Sequence, residues 1–222
     1  IENNTLYTFK IRQDVLWHDG EKLNADDVVF TIKLIQDPKY ASPIRLNWQG
    51  VSVEKIDDLT VAFKLTTPYS PFLENATVGI LPKHIWENVD PKSFPLAEAN
   101  LQPIGSGPYK FEKFQKDNTG NIKSYTLKIN EKYNGAPNGP HIERIIFKFF
   151  DSEEEALSAF KNQEVSAMSF ISGYNSLEVE NTGSKKLYTF SLPRYFAIFF
   201  NQAIAKFLSD KKIREALMLA LD

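Results

Sequence analysis

The 222 residues contain no cysteine, which excludes disulfides, thiolate metal ligands and a cysteine nucleophile. A chain without thiols also tolerates an oxidising compartment without mispairing. Histidine is scarce, and none of His18, His84 and His141 sits in a ligand pattern such as H-E-x-x-H, so neither a metal nor another cofactor is expected. No sign of charge dominates. The 26 basic and 28 acidic residues leave a formal charge of -2, and no long Lys/Arg run supplies the footprint that a phosphate backbone needs. Nucleic acid is therefore not an expected partner. No apolar run approaches the roughly 18 residues needed to span a bilayer. No basic, apolar, small-residue series opens the chain as a signal peptide would.

What is present suffices for a core. Hydrophobic residues make up 42% and aromatics 13%, enough to bury one substantial core or two smaller ones. Residues 6–12 alternate, with Tyr7, Phe9 and Ile11 on one face, which is the period of a half-buried strand. Trp17-His18-Asp19-Gly20 punctuates it. Asn24, with Asp27 three residues later, forms a capping-box signature before Ala25, Val28, Val29, Ile32 and Ile35 at helical spacing, and Pro38 ends the run. Val51 and Val53, then Val61, Phe63 and Leu65, predict a hairpin around Asp57-Asp58.

A short helix is expected over 82–89, and the three prolines between 90 and 103 mark an irregular connection, with a subdomain boundary near 100. Strands are expected over 109–114, 124–130 and 142–150, then a helix capped by Ser152 and Glu155, then strand-like pieces at 165–170 and 187–192. Residues 195–201 are apolar at nearly every position, which predicts a strand buried on both faces. Ser209-Asp210-Lys211-Lys212 caps an apolar stripe at Ile213, Ala216, Leu217, Ala220 and Leu221 that runs to the end without a C-cap. Both ends read as cut, so a segment of a longer protein is expected. The fold class is α/β in the mixed α+β sense, with mixed sheets.

Several constellations invite chemistry. His18 beside Asp19 suggests an acid/base pair, but sequence neighbours in an extended chain point apart, so a structural turn is the stronger reading. Gly105-Ser106-Gly107 resembles a phosphate loop only superficially. It precedes a strand, lacks a Walker lysine and runs into Pro108, so a close-packed turn is expected. Glu153-Glu154-Glu155 favours the positive end of a helix. Trp48, Tyr69, Tyr174 and Tyr195 lie in turn-like or strand-end contexts, where an aromatic either walls a ligand cleft or simply packs; for any one alone, packing is the commoner role.

The order of segments is more specific than any one of them. The strand at Leu6, the Trp17-His18-Asp19-Gly20 turn, and the helix from Asn24-Ala25-Asp26-Asp27-Val28-Val29-Phe30 come first. ILPKHIWENV at 80–89, PIGSGPYKFEKF at 103–114, Gln163-Glu164-Val165-Ser166, FFNQA at 199–203 and KIREALMLALD at 212–222 then follow in order. This series resembles the family 5 extracellular solute-binding proteins, the oligopeptide-, dipeptide- and nickel-binding components of ABC importers. Three positions depart from the family pattern: Gln163 and Ser166 stand where it has glycine and aspartate, which bears on the local turn, and Ser106 replaces a threonine.

The resemblance implies a lobe of the type II periplasmic-binding-protein kind, lacking the second lobe. By it, residues 1–100 and 101–201 form two subdomains of lobe one, and 202–222 begin the crossing into lobe two. It implies capture of a small solute, foremost an oligopeptide or dipeptide, with oligosaccharide or nickel chelate behind them. Delivery would be to ABC permease subunits by a monomer on the periplasmic or extracellular face, peripheral to the membrane, as a lipoprotein would be. Ligand contact is expected at Trp48, Tyr69, Ser172, Gly173, Tyr174, Tyr195 and Asn201, with no catalytic residue. A hydrolase built on an Asp/Glu pair, and a protein-interaction module on a binding-protein scaffold, are the alternatives.

Overall fold

Alternation over Leu6–Lys10 buries Tyr7 and exposes Thr8 and Lys10, and the computed structural model forms this segment into strand β1. The structure describes residues 1–133, 135, 139–172, 186–190 and 197–220. The chain divides into two compact units, 1–168 and 169–222.

In the first unit, β2 (Val51–Asp57) and β3 (Thr60–Leu65) form the expected hairpin. Asp57 Oδ1 accepts the Leu59 amide at 2.8 Å and closes the turn. β1 pairs with β3, giving the order β1-β3-β2. The central strand is the most apolar, with Val61, Ala62, Phe63 and Leu65 all buried.

Helix α1 (Ala25–Gln36) starts where the capping signature puts it: Asn24 Oδ1 accepts the Asp26 amide at 2.8 Å, and the Asn24 amide donates to Asp27 Oδ2 at 3.0 Å. Its apolar face, Ala25, Val28, Ile32 and Ile35, packs with Tyr7, Trp48, Val53, Val61, Phe63, Leu65 and Phe72 in one core. Rings occupy the centre of that core. Phe72 lies 4.7 Å from Tyr7, 5.6 Å from Phe63 and 5.8 Å from Trp48 between centroids, all tilted or edge-on as ring quadrupoles prefer. Two short helices follow, α2 (Phe72–Asn75) and α3 (Lys83–Trp86). The connection after them is irregular, as its prolines require, with single 3-10 turns at Phe94–Leu96 and Glu98–Asn100.

A second sheet has the order β4-β5-β6, from β4 (Tyr109–Lys116), β5 (Ile122–Ile129) and β6 (Arg144–Lys148). Every strand pair among the described residues is antiparallel, where mixed sheets were expected. Tight turns join β2 to β3 and β4 to β5 and make those two pairs antiparallel, because a parallel neighbour needs a long crossover; β1–β3 and β5–β6 are antiparallel across longer connections. The helix after Ser152, α4 (Glu153–Lys161), is capped by Ser152 Oγ accepting the Glu155 amide at 3.2 Å.

Its far end decides the fate of the Gln163 turn. Gln163 N donates to Phe160 O at 3.2 Å and Glu164 N to Ala159 O at 2.9 Å, the two bonds of a Schellman ending. That ending needs a left-handed residue, and Gln163 has φ of 62°. A glutamine there carries the steric cost that glycine avoids. Gln163→Gly is therefore expected to raise the unfolding free energy by about 0.5–1 kcal/mol after the extra freedom of glycine in the unfolded chain is subtracted. Urea titration of the two proteins measures it.

In the second unit, Asp210 Oδ1 accepts the Lys212 amide at 2.9 Å and caps α5 (Lys211–Leu219), the helix that the Ser209–Lys212 signature predicts. The expected strand at 165–170 is not one, and residues 187–190 and 197–200 are likewise irregular. Ile198 and Phe199 are exposed, Phe199 to 87%, where burial on both faces was expected. An apolar segment becomes a buried strand only with a pairing edge and covering layers, and the described residues supply neither to 197–200. Positions 191–196 lie outside the described residues. No described helix is long and apolar enough to cross a membrane.

Candidate functional site

Trp17-His18-Asp19-Gly20 is a turn whose three side chains diverge to different partners while its glycine makes the bend. Gly20 N donates to Trp17 O at 2.9 Å, and Gly20 takes φ of 102°, a conformation that glycine adopts without strain. Trp17 is buried, and its indole Nε1 donates to Asp27 Oδ2 at 3.3 Å. His18 and Asp19 do not touch one another's partners. The His18 ring reaches the Gly105–Gly107 loop, with Nδ1 accepting the Gly105 amide at 3.1 Å and Nε2 lying 3.2 Å from Gly107 O. A Cβ on Gly105 would stand 3.2 Å from His18 Cε1, so this loop is the close-packed turn its sequence predicts.

Asp19 turns the other way. Its Oδ2 lies 2.8 Å from His84 Nε2 on α3, and its Oδ1 accepts the Glu21 amide at 3.1 Å. Burial pushes the Asp19 carboxyl up, but the bonds from His84 and Glu21 outweigh it and leave the group below the usual aspartate value. A His–Asp pair thus exists, made with a histidine 65 positions away rather than with the adjacent one.

Asp27 is the hub beneath the turn. Only 4% exposed, it accepts from Trp17 Nε1, from the Asn24 amide, and through Oδ1 from the Lys83 amide at 2.8 Å. One carboxylate therefore fixes the turn, the start of α1 and the start of α3. The capping pattern exposes the start of α1 in the sequence; the other two tasks depend on partners brought in by the fold. Thr31 adds a parallel link, donating to Asp27 O at 2.8 Å and accepting the Leu81 amide at 2.9 Å.

The residues expected to meet a ligand fare differently. Trp48 is corrected: at 1% exposure its ring is enclosed by Phe63 and Phe72 and offers no face to a solute. Tyr69 is exposed to 48%, and its carbonyl accepts the Tyr7 hydroxyl at 3.5 Å. Asn201 is exposed; its Oδ1 accepts the Ala203 and Ile204 amides at 3.2 Å each, a local cap that occupies that oxygen. Ser172 is exposed in the second unit. Gly173, Tyr174 and Tyr195 lie outside the described residues. A groove of about 340 Å³, lined by Gly50, Val51, Ser52, Lys64, Leu65 and Thr66, contains none of the expected contacts. Among the described residues, no group of three or more His, Asp or Glu is placed to hold a metal ion.

All of residues 1–222 match the family described as bacterial extracellular solute-binding proteins, family 5 Middle. The chain belongs to this family. Among family 5 relatives, the oligopeptide-binding protein AppA of Bacillus subtilis is 30% identical over 226 residues, covering 100% of this chain and 40% of the relative. NikZ of Campylobacter jejuni, solved in complex with Ni(L-His), is 34% identical with a TM-score of 0.66, covering 74% of this chain and 32% of that one. AppA of B. subtilis, solved in complex with a nonapeptide, is 30% identical with a TM-score of 0.66 over the same shares, 74% and 32%. The chain thus spans about 40% of the length of the curated family 5 relatives it matches. The fold is α/β, of the type II periplasmic-binding-protein kind.

Proposed function

We propose that this chain forms part of the solute-binding component of an ABC importer, which captures an oligopeptide or dipeptide between two lobes and passes it to the permease subunits. The observation that carries this reading is the match of all 222 residues to a family of extracellular solute-binding proteins. The whole-chain relative named as oligopeptide-binding, and the neighbour solved with a nonapeptide, support peptide as the solute class. The Ni(L-His) complex of NikZ makes a nickel chelate the second class to test. In this reading the protein is a non-enzymatic monomer, peripheral to the membrane on its periplasmic or extracellular face.

Residues 1–100 and 101–201 are read as subdomains of one lobe, and 202–222 as the start of the crossing to the other. Closure is a population shift driven by contacts that form only when both lobes meet the solute. Tyr69, Ser172, Gly173, Tyr174, Tyr195 and Asn201 are the proposed contacts, the aromatics supplying apolar area and Ser172, Asn201 and the Gly173 backbone supplying hydrogen bonds. Calorimetry with a peptide panel tests the assignment in the protein as its host cell makes it. Ser172→Ala and Tyr195→Ala are each expected to weaken peptide binding by about tenfold. Unchanged affinity in both would remove these residues from the site.

A further inference from the structure

Three hydrogen bonds join the Trp17–Gly20 turn to the loop that leads into β4, and two of them end on one imidazole. His18 N donates to Gly105 O at 2.8 Å, Gly105 N donates to His18 Nδ1 at 3.1 Å, and His18 Nε2 reaches Gly107 O at 3.2 Å. A backbone amide can only donate and a carbonyl can only accept, so both side-chain bonds require a neutral ring with its proton on Nε2. The loop is gripped from its other side as well. Asn130, at the end of β5, donates its side-chain amide to Gly107 O at 3.0 Å and its backbone amide to Pro108 O at 2.8 Å.

We infer that His18 is a proton-operated latch. The neutral ring locks the turn before α1 onto the Gly105–Gly107 loop, and protonation at Nδ1 sets donor against donor at Gly105 while the Gly107 bond persists. The latch therefore tunes the join between the part of the chain carrying the first sheet and the part carrying the second. It is independent of any solute.

The surroundings set its sense. Lys110 on β4 opposes a charged ring, and Asp19 on the same turn favours one, although the Asp19 carboxylate is already held by His84 on α3. Lys132, just beyond β5, brings Nζ within 3.3 Å of where a Cβ at Gly20 would lie, adding a second cation near the turn. Burial is the largest influence and holds His18 below its ordinary value of 6.5; the Gly107 bond raises it, Lys110 lowers it and Asp19 raises it. The unfolded ring therefore takes up its proton more readily than the folded one. The stabilisation is complete above the ordinary value and is lost as pH falls through it towards the depressed folded one.

Long-range proton–nitrogen NMR of the His18 ring, combined with amide exchange at Gly105, tests the latch. At about pH 7.5 the ring should be the Nε2–H tautomer and the Gly105 amide should be protected. Lowering the pH to about 5 should cut that protection by about tenfold, the weight of one ordinary hydrogen bond, while Ile32 in α1 keeps its own. His18→Gln should abolish the pH dependence at Gly105, and His84→Gln should leave it in place. The first two readings need no variant to fold. An Nδ1–H tautomer at neutral pH, unchanged Gly105 protection, a response that survives in His18→Gln, or one that disappears in His84→Gln would each overturn the proposal.

Discussion

Asp27→Ala is expected to lower the unfolding free energy by about 3–4 kcal/mol, because it strands three donors around a buried carboxylate. Those donors are the Trp17 indole and the Asn24 and Lys83 amides. Helix capping alone accounts for about 1 kcal/mol of such a loss. The remainder comes from leaving the turn and α3 without their common acceptor. Asp26, one residue earlier, supplies the contrast. Its carboxylate is exposed and pairs with Lys55 at 2.7 Å, so Asp26→Ala should cost no more than about 1 kcal/mol. Chemical denaturation of both variants separates the cases, and near-equal losses would show that Asp27 is no hub.

Trp48→Ala should be at least as damaging, at about 3–5 kcal/mol, since it empties the centre of the aromatic cluster where Phe63 and Phe72 both lean on the indole. Trp48→Phe keeps a ring and should recover much of that stability. The pair of variants also tests whether Trp48 serves only the core. If Trp48 is purely a core residue, Trp48→Phe binds peptide with wild-type affinity in calorimetry despite a lower unfolding midpoint. A selective loss of affinity with stability unchanged would return Trp48 to the ligand set.

Most of the first unit was legible in the sequence because its elements are set by local chemistry plus one buried face. The alternation at Tyr7 and Phe9, the Asn24–Asp27 cap and the Asp57-Asp58 turn each predict what is observed. The two tight-turn hairpins, β2–β3 and β4–β5, are antiparallel by the shortness of their connections alone, whereas the pairings of β1 and β6 are not set by connection length. Long-range partnerships were not legible. Nothing at His18 announces Gly105, 87 positions away, and nothing at Asp19 announces His84. The apolar run at 197–200 shows what those residues would bury but not whether anything covers them, which is why the expected buried strand is not found over these residues. The candidate ligand residues suffered similarly. An aromatic in a turn-like context reads alike whether it packs inward, as Trp48 does, or stands exposed, as Tyr69 does.

Native mass spectrometry of the protein as its host cell makes it, purified without denaturation, tests the solute-binding account most directly. The account predicts a bound species whose added mass fragments into amino-acid residues and which is displaced by an excess of peptide. A trapped nickel chelate or oligosaccharide would contradict the peptide assignment. An empty protein that also gives no calorimetric signal with peptides would contradict peptide capture altogether.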